Sequence, residues 1–189
     1  MVKKCVIPNA INEELCGRLI AEYSQYLTPA MFWSNGKRIY DPKVREAYHY
    51  KLQDSELAEI SRSIVARFSG TEIEVARVEP VEIICYPPGN GAERHLDGPH
   101  RSHSIVYFLN RGYAGGELVF DDGSVFSDMP AGSAVVWDNG PEAFHAGNPI
   151  TRGLKWILVS WVRRSDAMQS ETEIHARIRA ENEAALKSG

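Results

Sequence analysis

Residues 156–162, Trp156-Ile157-Leu158-Val159-Ser160-Trp161-Val162, hold one polar side chain among aromatic, β-branched and leucine neighbours, and their reading decides the fold. The run is far shorter than the roughly 20 residues that a bilayer helix needs, and its composition is that of a buried strand. Upstream, 73–78, 81–86, 104–109, 117–120 and 133–137 have the same short β-rich character, with Gly, Pro, Asn and Asp in the gaps. Two helical segments precede them. Residues 10–27 place Ile11, Leu15, Leu19, Ile20 and Tyr23 on one face with Asn12 as cap. Residues 54–68 do the same with Leu57, Ile60, Ile64, Val65 and Phe68, and Gly70 follows as a C-cap.

Helices first and strands afterwards, with no βαβ alternation, predict an α+β fold. Its core is a double-stranded β-helix, or jelly roll, of antiparallel strands flanked by N-terminal helices. At 189 residues the chain reads as a single domain, 1–189. Within it, 1–70 are mostly helical support and a lid loop, 71–164 the jelly-roll core, and 165–189 a C-terminal helix or tail. The lid reading rests on 27–50, where Pro29, Asn35-Gly36 and Pro42 interrupt aromatic and charged residues and leave room for one short hairpin.

Hydrophobic residues make up 43%, charged residues 24%, and the formal net charge is -4. Lys and Arg are scattered among a larger number of acids, so no basic stripe marks a nucleic-acid partner. No apolar run is long enough for a membrane span. After Lys3 and Lys4 the text breaks at Pro8 before a signal-peptide core develops. Cys5, Cys16 and Cys85 form no CxxC pair and no disulfide framework, which fits a reducing, cytoplasmic setting.

The chemistry gathers around His95-Leu96-Asp97, two metal-competent side chains at i and i+2 that project from one side of an extended segment. His145, opening a later β segment, supplies a third ligand. Two imidazoles and one carboxylate favour non-haem Fe(II), and three protein ligands leave positions open for catalysis. Lys155, ten residues after His145 in an otherwise apolar strand, is costly to bury without a counter-charge. The distal carboxylate of a dicarboxylate cosubstrate is one candidate.

Residues 79–163 resemble the prolyl 4-hydroxylase branch of the Fe(II)/2-oxoglutarate-dependent dioxygenases. Glu79-Pro80, Tyr86, Gly89 and His95-x-Asp97 match the family's run, and Arg101, Ser104, Gly115-Gly116 and Phe120 continue it. The distal His145-x-x-x-Pro149-Ile150-x-x-Gly153-x-Lys155-Trp156 keeps the family's internal spacing. The resemblance implies that His95, Asp97 and His145 hold Fe(II). It implies that Lys155 binds the distal carboxylate of 2-oxoglutarate, with Tyr86 and Ser104 adding hydrogen bonds. O2 is then the second cosubstrate, succinate and CO2 are coproducts, and ascorbate (vitamin C) is the reductant. The substrate it implies is a proline-containing peptide or protein. Two positions depart from the pattern: Phe108 stands where the family usually has Tyr, with Tyr107 one residue earlier, and Glu82 stands where Gln is more usual.

Taken alone, Tyr86 reads equally as barrel filling. Trp161 and Arg163 share strand parity with Lys155 and are candidates for the substrate end, packing being the alternative for Trp161 and a surface position for Arg163. Trp33, Arg38 and Tyr40 in the lid segment are further candidates for a peptide groove. His100 and His103 read as loop histidines, and His49 and His175 as surface or partly buried ones. Two other functions fit the same residues: hydroxylation of a free amino acid or small metabolite, and a non-catalytic, metal-binding cupin-like module.

Overall fold

The structure is a computed structural model that describes residues 2–30, 32–34, 37–39, 47–70, 78–98 and 100–163, with the backbone path alone for 32–34 and 37–39. In chain order the first elements are β1 (Lys4–Ile7), α1 (Glu13–Tyr23), β2 (Thr28–Pro29), β3 (Phe32–Ser34), β4 (Lys37–Ile39), β5 (Tyr48–Leu52) and α2 (Ser55–Ser69). The central strands are β6 (Val81–Tyr86), β7 (Ala92–His95), β8 (Arg101–Phe108), β9 (Ala114–Gly115) and β10 (Leu118–Phe120). The last are β11 (Val125–Phe126), β12 (Ala134–Asp138), β13 (His145–Gly147), β14 (Ile150–Arg152) and β15 (Lys155–Arg163).

A seven-stranded sheet in the order β1-β12-β8-β15-β6-β5-β2 forms one wall of the jelly roll, and a four-stranded sheet, β11-β10-β13-β7, forms the other. Every pairing in both is antiparallel. Two cores result. Leu15, Leu19, Leu57, Ile64 and Val65 of the helices pack with Ile83, Ile105, Tyr107 and Leu158 on the outer face of the large sheet. Between the sheets lie Ile84, Val106, Phe108, Trp137, Ile157 and Val159 from the large one and Leu118 and Phe120 from the small one. Covering both faces explains why 156–162 reads as a continuous apolar run: alternate side chains enter alternate cores, and water meets neither.

The helix ends follow their sequence signals. Asn12 and Asp54 accept hydrogen bonds from the backbone N–H of Leu15 and Leu57, and Gly70 closes α2 in the left-handed region at φ 70°. The first helix is shorter than periodicity predicts, giving way to a single 3-10 turn at Ser24–Tyr26. Strands β1 and β5 were not anticipated. The first lies at the edge of its sheet with Cys5 and Val6 exposed, and the second mixes polar and aromatic residues, so neither carries an apolar signature. The 27–50 segment does contain a hairpin, β3 with β4. The expected strand 73–78 lies outside the described residues except Val78, which makes an isolated bridge to Val162. The expected terminal segment, 165–189, also lies outside them. No helix among the described residues is long and apolar enough to cross a membrane.

Candidate active site

One cavity of about 840 Å³ opens between the two sheets. Its large-sheet wall is a ladder of register-matched residues. Tyr86 faces Lys155 across β6 and β15 at the deep end, Ile84 faces Ile157 one step out, and Glu82 faces Val159 after that. On the far side of β6, His49 pairs with Ile84 and Lys51 with Glu82. Trp161 continues the β15 row, opposite Ser104 of β8.

The metal-competent residues come from the small sheet. His95 and His145 are direct cross-strand partners on β7 and β13, with ring centroids 4.3 Å apart. Asp97 lies just beyond β7, and the ligand atoms of the three residues all fall within 4.8 Å of one another. Each imidazole has its Nδ1 against a carbonyl, that of Glu93 for His95 (2.7 Å) and that of Ala143 for His145 (2.9 Å). A carbonyl oxygen only accepts, so Nδ1 carries the proton in both rings and Nε2 keeps its lone pair for an ion. Burial holds the His145 imidazole below its ordinary pKa, which favours the neutral form able to ligate a metal. Trp137 and Phe120 wall that ring, with centroids at 4.8 Å and 5.6 Å. This donor set fits a divalent iron with open positions.

Asp97 is held from two sides. Ser104 Oγ donates to its Oδ2 and itself accepts from Asn139 Nδ2 at 2.7 Å, so a short chain runs from Asn139 through Ser104 to the carboxylate. Arg101 Nη1 approaches the other oxygen at 3.4 Å. The same guanidinium stacks on the Trp161 ring at 3.8 Å and pairs with Glu79 at 2.8 Å. Glu79 also accepts from Arg163 and contacts His100. Burial opposes ionisation of Glu79, but the Arg101, Arg163 and His100 charges outweigh it and hold its pKa below the usual carboxylate value.

At the deep end Lys155 is 5% exposed, and its Nζ donates to the Gly116 carbonyl at 2.6 Å. Burial pushes its pKa down to about 8, with Glu117 pulling the other way. Gly116 makes the approach possible: at φ 72° a Cβ there would sit 2.3 Å from Ile150 Cδ1 and 3.1 Å from Lys155 Cδ. Phe108 offers its ring to the ammonium, 5.3 Å from centroid to Nζ.

The structure thus brings His95, Asp97, His145, Lys155, Tyr86 and Trp161 to one cavity. Two expected site residues, Ser104 and Arg163, are not among the residues that line it. Ser104 is fully buried behind Asp97 and does not line the cavity. Arg163, at the end of the β15 row, donates to Glu79, which it shares with the cavity-lining Arg101. Tyr40 lies outside the described residues, as does His175. Trp33 and Arg38 are described only as Cα partners in the β3–β4 hairpin. Sequence reading missed Asn139, for which a lone loop asparagine gives no signal. It also missed that His49 lines the cavity in contact with Glu82, because its short strand has no apolar pattern.

Residues 81–163 match the 2OG-Fe(II) oxygenase superfamily. A PKHD-type hydroxylase of Picosynechococcus sp. is 33% identical over 102 residues, 49% of this chain and 46% of that relative, so the match spans less than half of the relative's length. Among solved structures, a Pseudomonas putida prolyl-4-hydroxylase superposes with a TM-score of 0.69 at 25% identity, covering 87% of this chain and 94% of that one. A prolyl hydroxylase from Trichoplax adhaerens, solved with a hypoxia inducible factor peptide fragment, has the same fold at TM-score 0.71 and 16% identity, covering 87% and 85%. Residues 81–163 thus carry a 2OG-Fe(II) oxygenase domain, and the jelly roll and these relatives make the chain similar to the prolyl 4-hydroxylase branch of that oxidoreductase family.

Proposed function

We propose that the protein hydroxylates a prolyl residue of a peptide or protein, with Fe(II) at His95, Asp97 and His145 and 2-oxoglutarate anchored by Lys155 and Tyr86. The observation that carries this reading is the pairing, in one cavity, of two Nε2 lone pairs and a carboxylate with a buried ammonium at the deep end. When bound, Fe(II), 2-oxoglutarate and O2 supply the oxidising power, and succinate and CO2 are released.

The chain's own part is binding and placement. Lys155, cationic below about pH 8, offers the counter-charge that a distal carboxylate needs, and Tyr86 stands opposite it on the same face. Ile84, Val106, Ile157 and Val159 make the wall between that end and the mouth apolar, which excludes water from the reacting C–H bond. Ser104 and Asn139 orient Asp97 rather than touch the cosubstrate. Arg101 and Trp161, stacked at the mouth, give a flat cationic and aromatic surface suited to a peptide backbone. The Pseudomonas putida relative supports proline as the target. Ascorbate as reductant and a cytoplasmic setting complete the reading, the latter supported by three free cysteines.

The test is a panel of prolyl peptides incubated with Fe(II), 2-oxoglutarate and O2. Substrate-dependent succinate and a mass gain of one oxygen on proline are expected. Succinate formation indifferent to every prolyl peptide sinks the proposal.

A further inference from the structure

An ammonium has three N–H donors, and Lys155 gives one to the Gly116 carbonyl at 2.6 Å. Two aromatic rings adjoin its Nζ: Phe108, with its centroid at 5.3 Å, and Tyr113, at 5.9 Å. Phe108 has no donor to offer. Tyr113 carries a hydroxyl without a hydrogen-bond partner among the described residues, and its ring packs half-buried against the core between the sheets. It adjoins the cavity through Lys155, which lines it.

The backbone fixes Tyr113 in this place. It directly precedes β9, whose Ala114 and Gly115 pair with Arg152 and Ile150 of β14. Gly153, at φ 77°, lets the chain leading to Lys155 pass close by. A Cβ there would sit 2.8 Å from the Gly112 carbonyl oxygen and 3.1 Å from Tyr113 Cα. Burial, with Asp128 and Glu117 adding to it, pushes the Tyr113 pKa up to about 12, so the hydroxyl keeps its proton and remains a donor. Glu117, whose charge acts on both Tyr113 and Lys155, is held by Asn148 Nδ2 at 3.0 Å.

We propose that Tyr113 binds 2-oxoglutarate, its hydroxyl donating to the distal carboxylate that pairs with Lys155. This rests on the reading of Lys155 as the cosubstrate anchor. A carboxylate about 2.8 Å from Nζ spans much of the gap to the Tyr113 ring, which brings its oxygens within reach of the hydroxyl at the ring's rim. It offers about four lone-pair sites, more than the remaining N–H groups of the ammonium fill. Tyr113 thus supplies, from the turn before β9, a donor that Phe108 does not supply from β8.

The experiment is calorimetric binding of two keto acids, 2-oxoglutarate and 2-oxobutyrate, to the full chain loaded with Fe(II) under nitrogen. The second acid lacks the distal carboxylate, so the ratio of the two dissociation constants isolates that end. Tyr113→Phe is expected to weaken 2-oxoglutarate about tenfold, the size of one charge-assisted hydrogen bond, and to leave 2-oxobutyrate unchanged. A role confined to packing moves both acids alike or neither, and an unchanged ratio overturns the inference. Lys155→Met in the same series keeps the two readings apart. A ratio lost in Lys155→Met but intact in Tyr113→Phe overturns the role of Tyr113 alone. A ratio intact in both, or no 2-oxoglutarate binding to the wild type, overturns the anchor as well. No peptide is present, so the prolyl reading is untouched by either result.

Discussion

Ser104 donates its hydroxyl hydrogen to Asp97, 2.5 Å from Oγ to Oδ2, while Asn139 donates to Ser104 in turn. A residue whose motif position implies cosubstrate binding here donates to the Asp97 carboxylate instead. Ser104→Ala is expected to weaken Fe(II) affinity by roughly 10–100-fold, the usual effect of removing an outer partner of a ligand. The KM for 2-oxoglutarate should move far less. Iron-titrated activity is the measurement, and a selective rise in the 2-oxoglutarate KM with unchanged iron demand returns Ser104 to the cosubstrate.

His145→Ala removes one of the three residues proposed to hold iron and should abolish turnover, whereas Lys155→Ala should chiefly raise the 2-oxoglutarate requirement. Steady-state kinetics at varied 2-oxoglutarate separate the two. An unchanged requirement in Lys155→Ala refutes the anchor.

The depressed pKa of Lys155 gives a pH dependence with a definite sign. Above about pH 8 the buried ammonium loses its proton, so the 2-oxoglutarate KM of the wild type should rise through that range. Stability moves oppositely. Between about 8 and 10.5 the unfolded chain holds a proton that the folded one has released, so this group's contribution makes the fold more stable as pH rises. KM values and denaturation midpoints across pH 7 to 10 check both directions, on the order of one pH point per unit.

Phe108 and Tyr107 divide the two cores between them. Tyr107 turns outward, with its hydroxyl 2.9 Å from Ser61 Oγ on α2, and Phe108 turns inward beside Lys155. Ser61 donates to Leu57 O, so the phenol donates to Ser61. Tyr107→Phe should therefore cost about 1 kcal/mol of stability in denaturant and leave the 2-oxoglutarate KM alone. Phe108→Tyr should do the converse, lowering that KM roughly 2- to 10-fold by adding a donor at the deep end. A KM effect from Tyr107→Phe contradicts this division.

Much of this was legible in the sequence because it depends on local spacing. The caps at Asn12, Asp54 and Gly70 and the apolar rows of β6, β8 and β15 follow from propensity and burial. His95, Asp97, His145 and Lys155 carried the chemistry through residue type and order. What escaped depends on tertiary register. That Arg163 and Arg101 share Glu79 depends on how β8 and β15 pair at their ends, which no single strand encodes. The contact of His49 with Glu82 joins residues whose proximity exists only once β5 and β6 pair. Tyr107 against Phe108 was decided by parity, which fixed the inward residue as soon as Lys155 was placed on the same side.

The pairing of His95 with His145 also bears on assembly. Strand β7 is the last of the small sheet, and its ladder to β13 is brief and irregular, registering only at His145 with His95 and at Gly147 with Ala92. An ion shared by these two side chains would therefore stitch an otherwise weakly held outer strand to its neighbour. Loading and folding become partners: amide protons of 92–95 should exchange faster in chelated protein than in loaded protein, and the mouth of the cavity should tighten as the seam is closed.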